Sequence, residues 1–288
     1  MPLISIITPI YNNAKSIGKT ISSILAQTFK DWQLILVDDG SQDNLEDILE
    51  LFLDDKRIQF FKQGNKGVSH ARNRGIKEAS GTFLTFLDSD DQATSSWLED
   101  FSALISSSLN PGFVSCGYMR NNTKVYPKLF REIVPEKYSS LAGTFCIKKE
   151  ITVHIGGYDV NLKQSENWEF TARALEYCKN NNLDIMHTKS CNFLYHHDPN
   201  AQQTKIRDGY RGEATYYLFK KYSNRGVLHF RKKDFLLSSA VNFTRAGKFQ
   251  ESRKVFYENL KTYPSWGNLA KVLIFEIPFL RRKKWMRN

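Results

Sequence analysis

The strongest constraint on this chain is a hydrophobic period that switches back and forth. Short β-branched runs alternate with amphipathic stretches from the first residues onward. "LISIITPI" reads as a strand, and "AKSIGKTISSILAQTF" then sets Ile17, Ile21, Ile24, Leu25 and Thr28 at helical spacing. "LILVDD" is a second strand, and "NLEDILELFL" carries Leu45, Ile48, Leu49 and Phe52 on one helical face. "RIQFF" makes a third strand, "VSHARNRGIKEA" a helix and "TFLTFL" a fourth strand. This order predicts the α/β class, a mostly parallel sheet with helices on both faces, whose buried strands read as continuous apolar runs.

Beyond Phe113 the pattern loosens. "FVSCGYM" reads as a strand, "TFCIKKEITVHIGGYD" as a strand and helix closed by a glycine turn, and "NWEFTARALEYCKNN" as a helix with Trp168, Ala172 and Leu175 at core spacing. "LLSSAVNFTRAGKFQESRKVFYENLKTYP" resembles one helical hairpin of the tetratricopeptide type with Gly247 at its bend. A lone hairpin of that kind needs neighbours to bury its faces.

In open α/β sheets, ligands bind beyond the carboxyl ends of the strands. Here those ends read "TPIYNN", "VDDGS" and "LDSDD", so acidic and polar groups gather along one edge. Two aspartates in a D-x-D at a strand end can face a divalent cation, or one can take a ribose hydroxyl while the other takes the metal. Such hard oxygen ligands suit Mg²⁺ or Mn²⁺. The competing reading is a solvated turn capping the next helix, for which "DDQATSSWL" also has the residues. "NKGVSHARNRG" adds Gly67 for a turn and Arg72 and Arg74 beside a helix start, where cations can meet a diphosphate.

Composition narrows the classes. A formal charge of +11 calls for an anionic partner without choosing among phosphate-bearing substrate, nucleic acid and lipid surface. The basic residues are dispersed rather than interleaved with aromatics on one motif, so no nucleic-acid partner is expected. The four cysteines lie far apart with no metal-finger spacing, which points to reduced thiols in a cytosol-facing protein. "MPLISIITPI" lacks a basic leader and reads as a strand rather than a signal peptide, and no apolar run is long enough for a membrane-spanning helix. The sequons at Asn121 and Asn242 carry no weight in that setting.

In order and spacing, "SIITPIYNN", "LILVDDGS", "NKGVSHARNRGI" and "FLTFLDSDD" resemble the family 2 glycosyltransferases of GT-A fold. "GGYDVNLKQSENWEFTARAL" is similar to that family's acceptor-side block. The resemblance implies an inverting transferase that uses a nucleotide-diphosphate sugar, most often a UDP-sugar, with Mn²⁺ or Mg²⁺, and a saccharide or lipid-linked acceptor in polysaccharide or glycoconjugate synthesis. The resemblance covers roughly Pro2 to Asp198, and the chain is expected to divide into a nucleotide-sugar half, 1–110, an acceptor half of the same domain, 111–222, and a helical, basic extension, 223–288.

Carried over by motif, Thr8, Pro9 and Tyr11 would line the base pocket, Asp39 would contact the base and Asp38 support its loop. Arg72 would reach the nucleotide, with Ser89 beside it. Asp88 would lie near ribose and metal, and Asp90 would ligate the metal directly. The family places an acidic pair, Glu then Asp, where the catalytic base sits. Here the pair is Glu166 and Asn167, and an amide cannot take a proton from an acceptor hydroxyl. Three readings stay open: Glu166 is the base, Glu169 is the base, or the chain is a weak or inactive, binding relative. A nucleotidyltransferase is a further rival, but the place of its glycine-rich basic loop holds "PIYNNAKSI".

Asn167, Trp168 and Glu169 are candidates for acceptor contact, and His197, after "CNFLY", for a place near metal or acceptor. The tail "IFEIPFLRRKKWMRN", with Trp285 and a basic cluster from Arg281 to Lys284, suits an anionic membrane surface. A cytoplasmic protein, peripheral on the cytoplasmic face of a membrane, is the matching expectation.

Overall fold

The alternation of strands and helices is what forms. The computed structural model describes residues 1–120, 123–129, 137–195, 202–224, 226 and 228–286. Contacts divide the chain into two compact units, Met1–Val160 with Glu166–His197, and Asn161–Ser165 with Asp198–Asn288.

The first unit is built on a seven-stranded sheet. Its strands are β1 (Ile4–Ile10), β2 (Trp32–Asp38), β3 (Ile58–Lys62), β4 (Phe83–Phe86), β5 (Pro111–Ser115), β6 (Phe145–Lys148) and β7 (Asp184–His187), in the spatial order β7-β5-β6-β4-β1-β2-β3. The pairs β1–β2, β2–β3 and β1–β4 are parallel, as is β7–β5, whereas β6 runs antiparallel to both β4 and β5. The sheet is therefore mostly parallel, as the sequence predicts. Every residue of β1 and β2 is buried, because both faces are covered.

On one face Ile4, Ile6 and Ile10 meet Ile17, Ile21 and Ile24 of α1 (Ala14–Leu25), and Trp97 and Phe101 of a later helix join the same core. Thr28 falls beyond the end of α1 and is exposed; the buried residue there is Gln27, whose amide donates to the carbonyls of Ser23 and Thr94. The second helix, α2, is short (Leu45–Leu49), and Phe52 packs on the core from the turns that follow it. On the other face α3 (Val68–Glu78) crosses β1 at Gly75, where a Cβ would stand 2.3 Å from Ile7. Only glycine permits that approach, and it sets the depth of Arg72 one turn earlier.

Three further helices complete this unit: α4 (Trp97–Ser106), α5 (Lys149–His154) and α6 (Glu166–Asn180). "FVSCGYM" forms two strands rather than one. Gly117 breaks away, donating its N–H to the carbonyl of Ser190 at 2.8 Å, and Tyr118–Arg120 joins a separate four-stranded sheet with Gln92–Ala93, Thr123–Val125 and Phe193–Tyr195.

The second unit is helical: α7 (Gln202–Tyr222), α8 (Lys232–Arg245), α9 (Phe249–Thr262), α10 (Trp266–Glu276) and α11 (Pro278–Trp285). The hairpin read from the sequence is α8 and α9, with Gly247 between them and a 2.7 Å hydroxyl contact from Thr244 to Ser252. One neighbour that buries its face is α7, whose Gly212 carbonyl accepts from the Ser239 hydroxyl at 2.8 Å. The tail does not present Trp285: this indole is only 8% exposed, packed on Phe256, and Arg281 lies over the Phe249 ring at 4.2 Å. Arg282, Lys283 and Lys284 are the exposed members of the basic cluster.

Candidate active site

Register brings three strand ends to one edge. Ile10 pairs with Asp38 across β1 and β2, and Ile7 pairs with Phe86 across β1 and β4, so "IYNN", "DDGS" and "LDSDD" emerge side by side. Hydrogen bonds then tie the loops together. The Asn12 N–H donates to the Ser41 hydroxyl at 2.9 Å, and the Gln42 N–H donates to the Asn12 side-chain oxygen at 2.8 Å.

Both aspartates of "VDDGS" organise backbone. Asp38 accepts from the Ser41 N–H at 2.8 Å. Buried Asp39 accepts from the Gln63 amide at 2.8 Å and from the N–H groups of Lys66 and Gly67 at 3.0 and 2.7 Å. Gly67 takes a φ of 96°, which aims its N–H at that carboxylate and starts α3 behind it. Thr8 is buried beside these loops, and its hydroxyl has no hydrogen-bond partner among the described residues. Pro9 is buried as well, whereas Tyr11 stands half exposed at the mouth.

The D-x-D loop is held from α1. The Thr20 hydroxyl reaches the carbonyls of Ser89 and Asp91 at 2.9 and 2.8 Å, and the Asn13 amide donates to the Ser89 hydroxyl at 2.7 Å. Ser89 is thereby buried with its hydroxyl engaged, while Asp90 is exposed and the Asp88 side chain keeps 36% of its surface.

Arg72 joins this loop to α6. Its guanidinium donates to Asp88 at 2.8 Å and to Glu166, the first residue of α6, at 3.0 Å. Burial opposes the charge on Arg72, yet Asp88, Tyr158 and Glu166 together outweigh it and raise the pKa above its ordinary value. Its Nε has no partner among the described residues.

Tyr158 completes the cluster, and sequence reasoning passed over it. It stacks on Phe170 with ring centroids 4.1 Å apart, meets Phe86 edge-on, and lies 5.2 Å from the Arg72 guanidinium. Its hydroxyl donates to the Asn167 side-chain oxygen at 2.9 Å, which leaves the amide nitrogen as that side chain's donor. Asn73 clamps the Tyr158 backbone from α3, accepting from its N–H at 2.7 Å and donating to its carbonyl at 2.9 Å. The signal in the sequence is the tyrosine after two glycines in "GGYD", inside the block that resembles the family but with no role assigned to Tyr158.

The two candidate bases separate by environment. Glu169 has no exposed surface; Arg173 grips it with two hydrogen bonds, at 2.9 and 2.7 Å, and also donates to the carbonyl of Gly157 at 2.8 Å. It braces the glycine turn and is closed to an acceptor hydroxyl arriving from solvent. The Glu166 side chain keeps 15% of its surface. Trp168 is half buried on α6, and His197 lies outside the described residues.

Among the described residues no group of three or more His, Cys, Asp or Glu is arranged to hold a metal. The donor set present, two strand-end carboxylates with Asp90 open to solvent, fits a hard divalent cation that keeps waters and phosphate oxygens as its other ligands.

The fold and these strand ends define an α/β domain whose candidate site lies at the carboxyl edge of its sheet. The family model for glycosyl transferase family 2 matches residues 5–166, more than half of the sequence, and the chain belongs to that family. An uncharacterized glycosyltransferase of Haemophilus influenzae is 46% identical over 101 residues, which are 34% of this chain and 40% of that protein. The matches to the first curated relatives, from Rickettsia, span only 13 to 15% of those proteins' own lengths. S. aureus TarS in complex with UDP-GlcNAc superposes with a TM-score of 0.68 at 20% identity, over 97% of this chain and 86% of that one. The mannosyltransferase PcManGT from Pyrobaculum calidifontis, in complex with GDP-Man and Mn²⁺, gives 0.63 at 14% identity over 98% and 83%. At such identities the likeness is one of fold, and the fold is GT-A.

Proposed function

We propose that this glycosyltransferase moves a sugar from a UDP-sugar to a hydroxyl of a saccharide or lipid-linked acceptor with inversion, in the cytoplasm, during polysaccharide or glycoconjugate synthesis. The observation that carries the reading is the single guanidinium of Arg72 shared by Asp88 and Glu166, which puts the donor-side loop and the acceptor-side helix at one place. Glu166 takes the acceptor hydroxyl's proton as that oxygen attacks the anomeric carbon and the bond to the diphosphate oxygen breaks. Glu169, sealed against Arg173, is left with a bracing role. Asn167, its oxygen held by Tyr158, offers its N–H₂ to an acceptor oxygen.

Asp88 and Asp90 are the residues that would hold Mn²⁺ or Mg²⁺, and the bound ion supplies charge stabilisation to the departing diphosphate. TarS and PcManGT, named with UDP-GlcNAc and GDP-Man, support a sugar-nucleotide donor, and PcManGT supports manganese.

The test is donor turnover across UDP-GlcNAc, other UDP-sugars and GDP-mannose, with Mn²⁺ and with chelator, in the native chain and in Asp90→Ala. Metal-dependent turnover of a UDP-sugar that falls at least a hundredfold in the variant supports the reading. Turnover of no sugar nucleotide, with UDP still bound, would favour the binding relative that Asn167 otherwise suggests.

A further inference from the structure

We propose that the exposed face of α10, continued into the first turn of α11, docks on an anionic lipid bilayer. Trp266, Ala270, Leu273 and Ile277 recur at intervals of four, three and four residues, so they form one helical stripe, and all four are exposed. Trp266 is 86% exposed, Leu273 56%, Ile277 49%, and Phe279 just beyond the joint 72%. Isolated exposed apolar residues are ordinary on a protein surface, but a periodic row headed by a tryptophan is not. Nor is Trp266 a frayed end. Ser265 caps the helix, its hydroxyl accepting from the Asn268 N–H at 3.2 Å, while Asn268, Val272 and Phe275 bury the opposite face.

Charge selects the occupant. Arg282, Lys283 and Lys284 are exposed on α11 directly after the apolar row. The sole acid from Trp266 onward is Glu276, and Arg253 pairs with it at 2.7 Å. A two-fold contact with a second copy would set this basic cluster beside itself with no acidic counterpart on the stripe. Nucleic acid would match the cations and leave the tryptophan and leucine row unmatched. A bilayer of anionic lipid accepts both, apolar side chains at the acyl boundary and cations among the headgroups. No helix among the described residues is long and apolar enough to cross a membrane.

The sequence alone pointed to Trp285 and the whole basic run. The structure moves the contact onto Trp266, Leu273, Ile277 and Phe279, since Trp285 is buried. The proposal stands on α10 and α11 and does not depend on the donor or acceptor of the transferase.

The experiment is co-sedimentation of the intact chain with phosphatidylcholine vesicles, with and without phosphatidylglycerol. Two variants accompany it, Trp266→Ser/Leu273→Ser/Phe279→Ser and Arg282→Gln/Lys283→Gln/Lys284→Gln. All six positions are exposed, so both variants keep the native melting temperature. The chain is expected to sediment with the anionic vesicles only. The charge variant weakens partitioning on the order of a hundredfold, about fivefold per cation, and the apolar variant weakens it at least tenfold. Both variants retain transfer to a soluble acceptor, so a negative result here leaves the catalytic reading intact. Any of three outcomes overturns the proposal: anionic vesicles leave the native chain in solution, they bind the apolar variant equally well, or sedimentation velocity without lipid finds a dimer that the apolar variant dissolves.

Discussion

Arg72 and Glu166, separated by 94 positions in the chain, are joined by a 3.0 Å hydrogen bond from guanidinium to carboxylate. Because the same guanidinium holds Asp88, it fixes the start of α6 against the D-x-D loop at the sheet edge. Arg72→Lys keeps one charge but cannot span two carboxylates with a planar fork. Its UDP affinity and its transfer rate are expected to fall together, each by tenfold or more. Arg72→Ala adds a stability loss toward the lower end of the ~3–5 kcal/mol that breaking a buried pair costs, because Asp88 keeps 36% of its side-chain surface. Calorimetric UDP titration and urea melts read the two effects.

Glu169 is expected to behave as a structural residue. Glu169→Gln leaves the Arg173 guanidinium without its counter-charge, which costs ~3–5 kcal/mol and lowers the melting temperature by roughly 10 °C. Transfer per folded molecule, measured well below that transition, stays within about threefold of native. A hundredfold loss at unchanged stability would instead make it the base.

Tyr158 orients Asn167 through one hydrogen bond. Tyr158→Phe removes it, and loss of ~1 kcal/mol is expected to raise the acceptor KM about fivefold, with UDP affinity unchanged. Initial rates at varied acceptor and fixed saturating donor measure this split. An unchanged acceptor KM would detach Asn167 from acceptor binding.

Buried acids set an alkaline limit to stability. Burial pushes the Cys178 thiol up to about 12 from 9.0, and it raises Cys116, Cys146 and Tyr158 as well. Above pH 9 for the thiols, and above pH 10 for Tyr158, the unfolded chain releases protons that the folded chain keeps, so the unfolded state gains. This contribution is fully present below pH 9 and is lost as pH rises toward 12, at ~1.4 kcal/mol per unit for each such group. Urea melts from pH 8 to 10.5 should fall with that slope, and Cys178→Ala should flatten it by about one group's share.

Much of the sheet was legible because its signal is local. Ile4 to Ile10 and Trp32 to Asp38 are apolar runs whose burial on both faces needs no knowledge of partners. The acidic strand ends were legible for the same reason, since Asp38, Asp39, Asp88 and Asp90 all follow such runs directly. What stayed hidden depends on partners distant in sequence. The i,i+4 spacing offers Glu169 a pair with Arg173, which forms, but not the inward turn by which Arg173 also braces the Gly157 carbonyl, and Tyr158 acquires its role only when α6 brings Asn167 to its hydroxyl. The second sheet is invisible for a like reason, as Gln92–Ala93 is a strand only beside Phe193–Tyr195. Trp285 read as a membrane anchor by composition and proved to be core, because Phe256 of another helix covers it.

The central claim is that Glu166 is the base in the same site that holds the donor. Its most direct test is transfer by Glu166→Gln at saturating donor, with UDP affinity measured on the same preparation. The account expects the rate to drop by ~10² to 10⁴ while UDP binds within about threefold of native. A rate within a few fold of native, at unaltered UDP affinity, would contradict it.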